Sequence, residues 1–275
     1  MDSAKELITE IIDIWTSPVK GKSNNGRGFN RKIELYGVNK LRNLIRGLGL
    51  SGKLCSADGN FSKDLEELIA DCRKNYSENV RNLKGYSIGE PIISEFSIPN
   101  NWVWKRVSDL CDLQTGATPS RQKPEYFGGN NRWLVSGDIN LEMIHECEGR
   151  ITDEALKKSN CRILPEGTVL IALNGQGKTR ASVALLLTEA ACNQSLVGMI
   201  PFNQELLNSE FLLLALKHRY FEIREITGQN KRRGLNMGLV AELSVPLPPI
   251  EVQHRIVNKV NELNESGKID LFTKY

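Results

Sequence analysis

TVLIALNGQGKTRASVALL, residues 168–186, is the stretch on which the reading of the fold turns. An apolar run ends in a glycine-rich loop carrying Gly177-Lys178-Thr179, and a second apolar run follows. Two architectures compete for it. In a phosphate-cradling P-loop, G-x-x-x-x-G-K-[ST], the first glycine permits the turn and a helix must follow, with its positive end toward the phosphates. Here the first glycine position is Ala172, and ASVALLL is apolar and β-branched without helical amphipathicity. No apolar run ending in a catalytic acid stands at a sensible distance for the partner motif. The competing reading is a hairpin: two strands joined by a tip that presents Asn174, Gln176, Lys178, Thr179 and Arg180.

Short apolar runs punctuated by Gly, Asn and Asp extend this strand texture outward: WLVSGDIN at 133–140, GTVLIALNG at 167–175, ASVALLL at 181–187 and SLVGMIPF at 195–202. Helical spacing frames them. Leu7, Ile8, Ile11, Ile12 and Trp15 share a stripe, with Ser3 and Glu6 forming a capping box and Pro18 ending the helix. A flexible basic linker, KGKSNNGRG at 20–28, follows. Val38, Leu41, Leu44, Ile45 and Leu48 make a second helix that stops at Gly49 and Gly52. Leu65, Leu68, Ile69, Cys72 and Tyr76 make a third, with Ser62 as the expected cap. Residues 85–101, with Pro91 and Pro99, read as extended. One long helix is expected over 208–226, capped by Asn208 or Ser209. Pro246, Pro248 and Pro249 lead rigidly into a last helix with Ile256, Val257, Val260 and Leu263 on one side. The fold class is therefore α+β: a mixed α/β domain at 97–247, an N-terminal helical region at 1–96 with its linker near 18–32, and a C-terminal helix and tail at 248–275.

Bulk numbers bound the chemistry. The chain has 275 residues, enough for one large domain or two modest ones. Its net charge is +3, so nucleic-acid binding must be argued from local clusters. The six cysteines contain no C-x-x-C pair and the histidines number three, which argues against a zinc site and for scattered reduced thiols. The start MDSAKELITEII carries acids where a signal peptide needs bases, and no apolar run is long enough for a bilayer, so the expected home is the cytoplasm.

Local clusters exist. GQNKRRG at 228–234 repeats the hairpin's chemistry through Gln229, Lys231, Arg232 and Arg233. TGATPSRQK at 115–123 adds Thr118, Ser120 and Arg121. Amides and guanidinium groups match base edges, and cations match phosphates. For any one loop the bland reading, a solvated tip, competes closely; three of them on one domain favour a duplex-binding surface. Ser120 equally suits a turn after Pro119, Ser136 and Asp138 suit a turn, and Gln194 suits a backbone contact. Trp102, Trp104 and Trp133 suit the core.

The ordered series PNNWVWKRVSDLCDLQTGATPSR, YFGG, WLVSGDIN, ITDEAL, LPEGTVLIALNGQGKTR, CNQSLVGMIP and VPLPPIEVQHRIV resembles the specificity (S) subunit of type I restriction-modification systems. LRNLIRGLGLSGKLCS followed by LEELIADCRK resembles the segment preceding a target recognition domain. The resemblance implies a non-catalytic DNA-reading subunit whose target recognition domain binds one half of a bipartite site and whose spacer helix docks a methylation subunit. It implies no cofactor in this chain, S-adenosylmethionine in the methylation subunit, and a restriction subunit as a further partner. One recognition domain and no second VPLPP segment imply a half-sized form, acting as a homodimer or with a second half-subunit. Ile256, Val260 and Leu263 are then expected to serve helix–helix assembly. The alternatives are a nucleotide-binding enzyme using Gly177-Lys178-Thr179, the recognition subunit of a type IIB-like complex, and a pure assembly scaffold.

Overall fold

The computed structural model describes residues 36–61, 64–80, 83, 89–175, 178–226 and 234–266. The expected helix at Leu7–Trp15, its linker and Ser62 lie outside the described residues. Helix α1, Tyr36–Leu50, and α2, Leu65–Asn79, come first. The cap of α2 is Asp64, whose carboxylate accepts from the backbone N–H groups of Glu66 and Glu67.

The centre is a five-stranded sheet. Its members are β2 (Cys111–Thr115), β4 (Met143–Ile144), β6 (Val169–Ala172), β7 (Val183–Leu186) and β9 (Leu196–Pro201), in the order β2-β9-β6-β7-β4. All four residues of β6 and of β7 are buried. Alternation distributes them over two faces. Val169, Ile171, Val183 and Leu185 enter the large core, and Leu170, Ala172, Ala184 and Leu186 enter a second, smaller one. The first face is covered by α5, Ser209–His218, which starts on Asn208 as its side chain accepts from Phe211 N–H.

Two smaller sheets flank the centre. Strands β3 (Phe127–Leu134), β5 (Arg150–Ile151) and β8 (Ala191–Cys192) form one in the order β5-β3-β8. β1, Val103–Arg106, pairs antiparallel with β10, Ser244–Leu247, so the chain returns to its start before the last helix. Short helices α3 (Val107–Leu110), α4 (Asp153–Lys158) and α7 (Met237–Glu242) join these elements.

The single helix expected over 208–226 is two. Arg219 breaks it, with α6 running Tyr220–Ile226. Arg219 is buried, pairs with Glu222, and donates to the carbonyls of Ile92 and Ser244. A guanidinium can be buried only with its donors occupied, and here the carbonyls of the segment before β1 and of β10 accept them.

The last helix, α8, spans Ile250–Ser266 and packs on α1 and α5. A β-carbon on Gly49 would lie 2.9 Å from Ile256 Cγ2, so the glycine permits the close approach of α1 and α8. Gln253, fully buried, closes the seam: its amide donates to Leu206 and Pro248 carbonyls and accepts from Asn208 N–H. Leu41 and Ile45 of α1, Leu212 of α5 and Ile256 and Val260 of α8 therefore share one core. The segments that the sequence divides near 96/97 and 247/248 are continuous through it. Ile256 and Val260 are buried by this chain and Leu263 packs at the margin, which corrects the expectation of an open stripe for a partner helix.

Candidate functional site

The strand register brings loops together. Thr115 at the end of β2 faces Val197, Ala172 at the end of β6 faces Leu196, and Val183 at the start of β7 faces Ile171. Antiparallel pairing thus sends the loop after β2, the turn before β9 and the β6–β7 loop out of the same end of the sheet. Backbone hydrogen bonds join them: Leu173 N–H donates to Ser195 O, and Ala117 N–H to Cys192 O.

Gly116 is required there. A β-carbon on it would stand 1.8 Å from the Cys192 carbonyl oxygen. The carbonyl of its neighbour Ala117 accepts from Trp133 Nε1 and Cys161 Sγ, which pins the loop to the small sheet. Burial pushes the Cys192 thiol up to about 12, so it stays protonated beneath this loop.

The residues expected at the site are placed as follows. Thr118 Oγ1 donates to Gln194 Oε1 at 2.6 Å, so Gln194 meets a side chain rather than the backbone contact expected of it. Ser120 closes a turn through its carbonyl, which accepts from Lys123 N–H, and Arg121 is exposed beside it. Asn174 and Lys178 are exposed at the β6–β7 tip, with Thr179 and Arg180 half-buried. Ala181, also at this tip, holds a left-handed φ of 66°. Gln176, Gln229, Lys231, Arg232 and Arg233 lie outside the described residues. Asp138 accepts from Val135 N–H and forms the expected turn with Ser136 between them. Trp102 and Trp133 are buried, and Trp104 is half-buried edge-on to Phe96.

The tip is anchored to α6. Tyr220 Oη donates to the Lys178 carbonyl at 2.7 Å, and Arg224 Nη1 donates to the Arg180 carbonyl at 2.8 Å. α6 ends at Ile226, and the basic stretch 228–234 follows it in sequence. Phe221, on the same helix, is 68% exposed and meets Tyr220 edge-to-face.

The P-loop alternative does not survive this geometry. The residues after Gly177-Lys178-Thr179 form β7, antiparallel to β6, where a P-loop requires a helix N-terminus. Among the described residues there is no group of three or more His, Cys, Asp or Glu able to hold a metal ion. No disulfide joins the six cysteines, all of which are described. Among the described residues no helix is long and apolar enough to cross a membrane.

Several residues escaped the sequence reading. Beneath the loops lies a cleft of about 490 Å³, lined among others by Gln114, Thr118, Asn160, Arg162 and Gln194. Gln114 carries no local signal because it reads as one polar residue in an edge strand. Asn160 and Arg162 fall in a connecting segment outside the three polar stretches of the sequence. Tyr220, Phe221 and Arg224 fall within the helix expected over 208–226, and the aromatic pair with a nearby Arg is the signal in the sequence that points to them.

The family model for the type I restriction modification DNA specificity domain matches residues 99–271. The chain is 28% identical over 199 residues to the MjaIX specificity subunit of a type I restriction enzyme from Methanocaldococcus jannaschii, covering 65% of this chain and 44% of that protein. It is 28% identical over 287 residues to the EcoEI specificity subunit from Escherichia coli, covering 95% of this chain and 45% of that protein. The chain thus spans less than half the length of these relatives. A solved structure described as the structural basis of complex assembly and conformational transition of the type I R-M system matches with a TM-score of 0.52 at 16% identity, over 96% of this chain and 62% of that one. At that identity the likeness concerns the fold.

Proposed function

Because the chain belongs to the type I restriction modification DNA specificity domain family, we propose that it is the non-catalytic, sequence-reading subunit of a type I restriction-modification methyltransferase and endonuclease. It binds one half of a bipartite duplex site through the loops at one end of its central sheet. The observation that carries this reading is their convergence: 116–121, 193–195 and 173–182 leave from adjacent strand ends, and α6 ties the last of them to the segment leading into 227–233. Amides, hydroxyls and cations gathered on one rim suit a groove, with Lys and Arg on phosphates and amides on base edges.

Catalysis belongs to other polypeptides in this reading. A methylation subunit holds S-adenosylmethionine and modifies adenine, and a restriction subunit cleaves. A split site is completed by a second copy of this chain or by another half-subunit, since two-fold symmetry presents two equivalent reading surfaces to inverted half-sites.

Fluorescence anisotropy of the full chain on duplex DNA across a salt series tests the DNA-binding reading. The expected slope is roughly −0.9 per phosphate neutralised. Lys178→Ala with Arg232→Ala is expected to lower affinity and flatten the slope; unchanged affinity and slope in that double variant defeat the loop assignment. Co-expression with a type I methylation subunit, followed by mapping of methylated adenine, tests the assembly. A split motif with identical inverted halves is the symmetric outcome.

A further inference from the structure

The cleft beside the basic tips has a built floor. Asp112 on β2 is buried, and its Oδ2 accepts from Tyr76 Oη at 3.2 Å and from Gln114 Nε2 at 2.7 Å. Its Oδ1 has no partner among the described residues. A guanidinium only donates, so the atom of Gln114 that faces it is the carbonyl oxygen. The Gln114 amide therefore turns its NH2 inward and its carbonyl toward Arg162, whose Nη1 donates to Oε1 at 3.4 Å. Turning the amide over would set oxygen against oxygen and leave Asp112 with Tyr76 alone. The cleft thus carries an oriented acceptor, an exposed guanidinium, and the amides of Gln194 and Asn160, with Gln194 held by Thr118.

This set matches one class of ligand. A purine in the major groove presents N7, an acceptor, beside a substituent at position 6 that accepts in guanine and donates in adenine. A guanidinium satisfies the first pattern and a side-chain amide the second. Arg162 and Gln194 stand on separate loops across the same cleft, and Gln114 restrains the guanidinium.

We infer that the cleft formed by Gln114, Thr118, Asn160, Arg162 and Gln194 reads the major-groove edge of one purine, a subsite distinct from the phosphate-gripping tips. Arg162 and Gln194 contact the base, and Asp112, acting through Gln114, is a positioning residue. The inference rests on the DNA-reading function proposed above. It adds a division of labour: the tips supply affinity and the cleft supplies discrimination at one base pair.

The test is selection of the full chain on a randomised duplex library, followed by sequencing, for the wild type, Arg162→Ala, Gln194→Ala, Asp112→Asn and Lys178→Ala. Arg162 and Gln194 are exposed, so their truncations leave the core intact. The wild type is expected to enrich a sequence with a fixed purine. Arg162→Ala and Gln194→Ala should each lose about tenfold discrimination at that one base pair, with at most one phosphate's change in salt slope. Asp112→Asn should alter the preference at the same base pair without altering the slope, and Lys178→Ala should weaken all sequences alike. If Arg162→Ala and Gln194→Ala select the wild-type sequence with undiminished discrimination, or lose it evenly at every position, the cleft assignment is overturned while DNA reading stands. If the wild type enriches nothing, DNA reading itself fails.

Discussion

The β6–β7 tip and the α8 seam are both held by the chain, but by opposite means. At the tip, α6 grips main-chain carbonyls, those of Lys178 and Arg180. At the seam the side chains themselves are the grip: Ile256 and Val260 are buried against α1 and α5. Anchoring by backbone permits side chains to vary without unfolding the domain, whereas anchoring by side chains does not. The polar loop end is therefore the region suited to reading different ligands on one scaffold, and the seam is the scaffold.

Charge placed in the seam should break the contrast most severely. Ile256→Asp puts a carboxylate in a fully buried site without a partner and should destabilise the chain by on the order of 4 kcal/mol or more, read as loss of the cooperative thermal transition. Lys178→Ala should stay within about 0.5 kcal/mol of wild-type stability in the same melt. Equal losses from the two would abolish the distinction.

Gly116→Ala tests whether the loop end itself is rigid. The methyl meets the Cys192 carbonyl, so the loop must shift, at roughly 3 kcal/mol by denaturant titration. A neutral result would mean that the loop yields freely. Tyr220→Phe removes one exposed hydrogen bond to the tip and should destabilise by about 0.5 kcal/mol. Its larger effect is expected on DNA affinity, measured by anisotropy, because the Lys178 backbone loses its tether to α6.

The smallest effect concerns acid. Glu146 is exposed, and its carboxyl is pushed down to about 2, first by Arg132, then by the Cys147 N–H and Arg150. A depressed carboxylate stabilises the fold above its ordinary range, and that contribution disappears as pH falls from there toward about 2. Carbon-detected NMR titration should place the Glu146 midpoint near that value, and Arg132→Ala should raise it. A midpoint in the ordinary range for the wild type would show the small sheet to be less firmly clasped than the central one.

Local pattern determined much of this protein. The short apolar runs became β6, β7 and β9, Asn208 capped α5, and Ala172 with a following strand excluded a P-loop, because apolar runs, their turn residues and caps act over a few residues. Only the tertiary structure decided the rest. β9 inserts between β2 and β6, which sets Gln194 beside Thr118 and brings Arg162 over Gln114. Arg219 ended a helix because carbonyls distant in sequence could accept its donors, and Ile256 found α1 rather than another chain. Strand order, the burial of a guanidinium against distant carbonyls and the covering of an apolar stripe depend on contacts between residues far apart in the chain, for which periodicity carries no information.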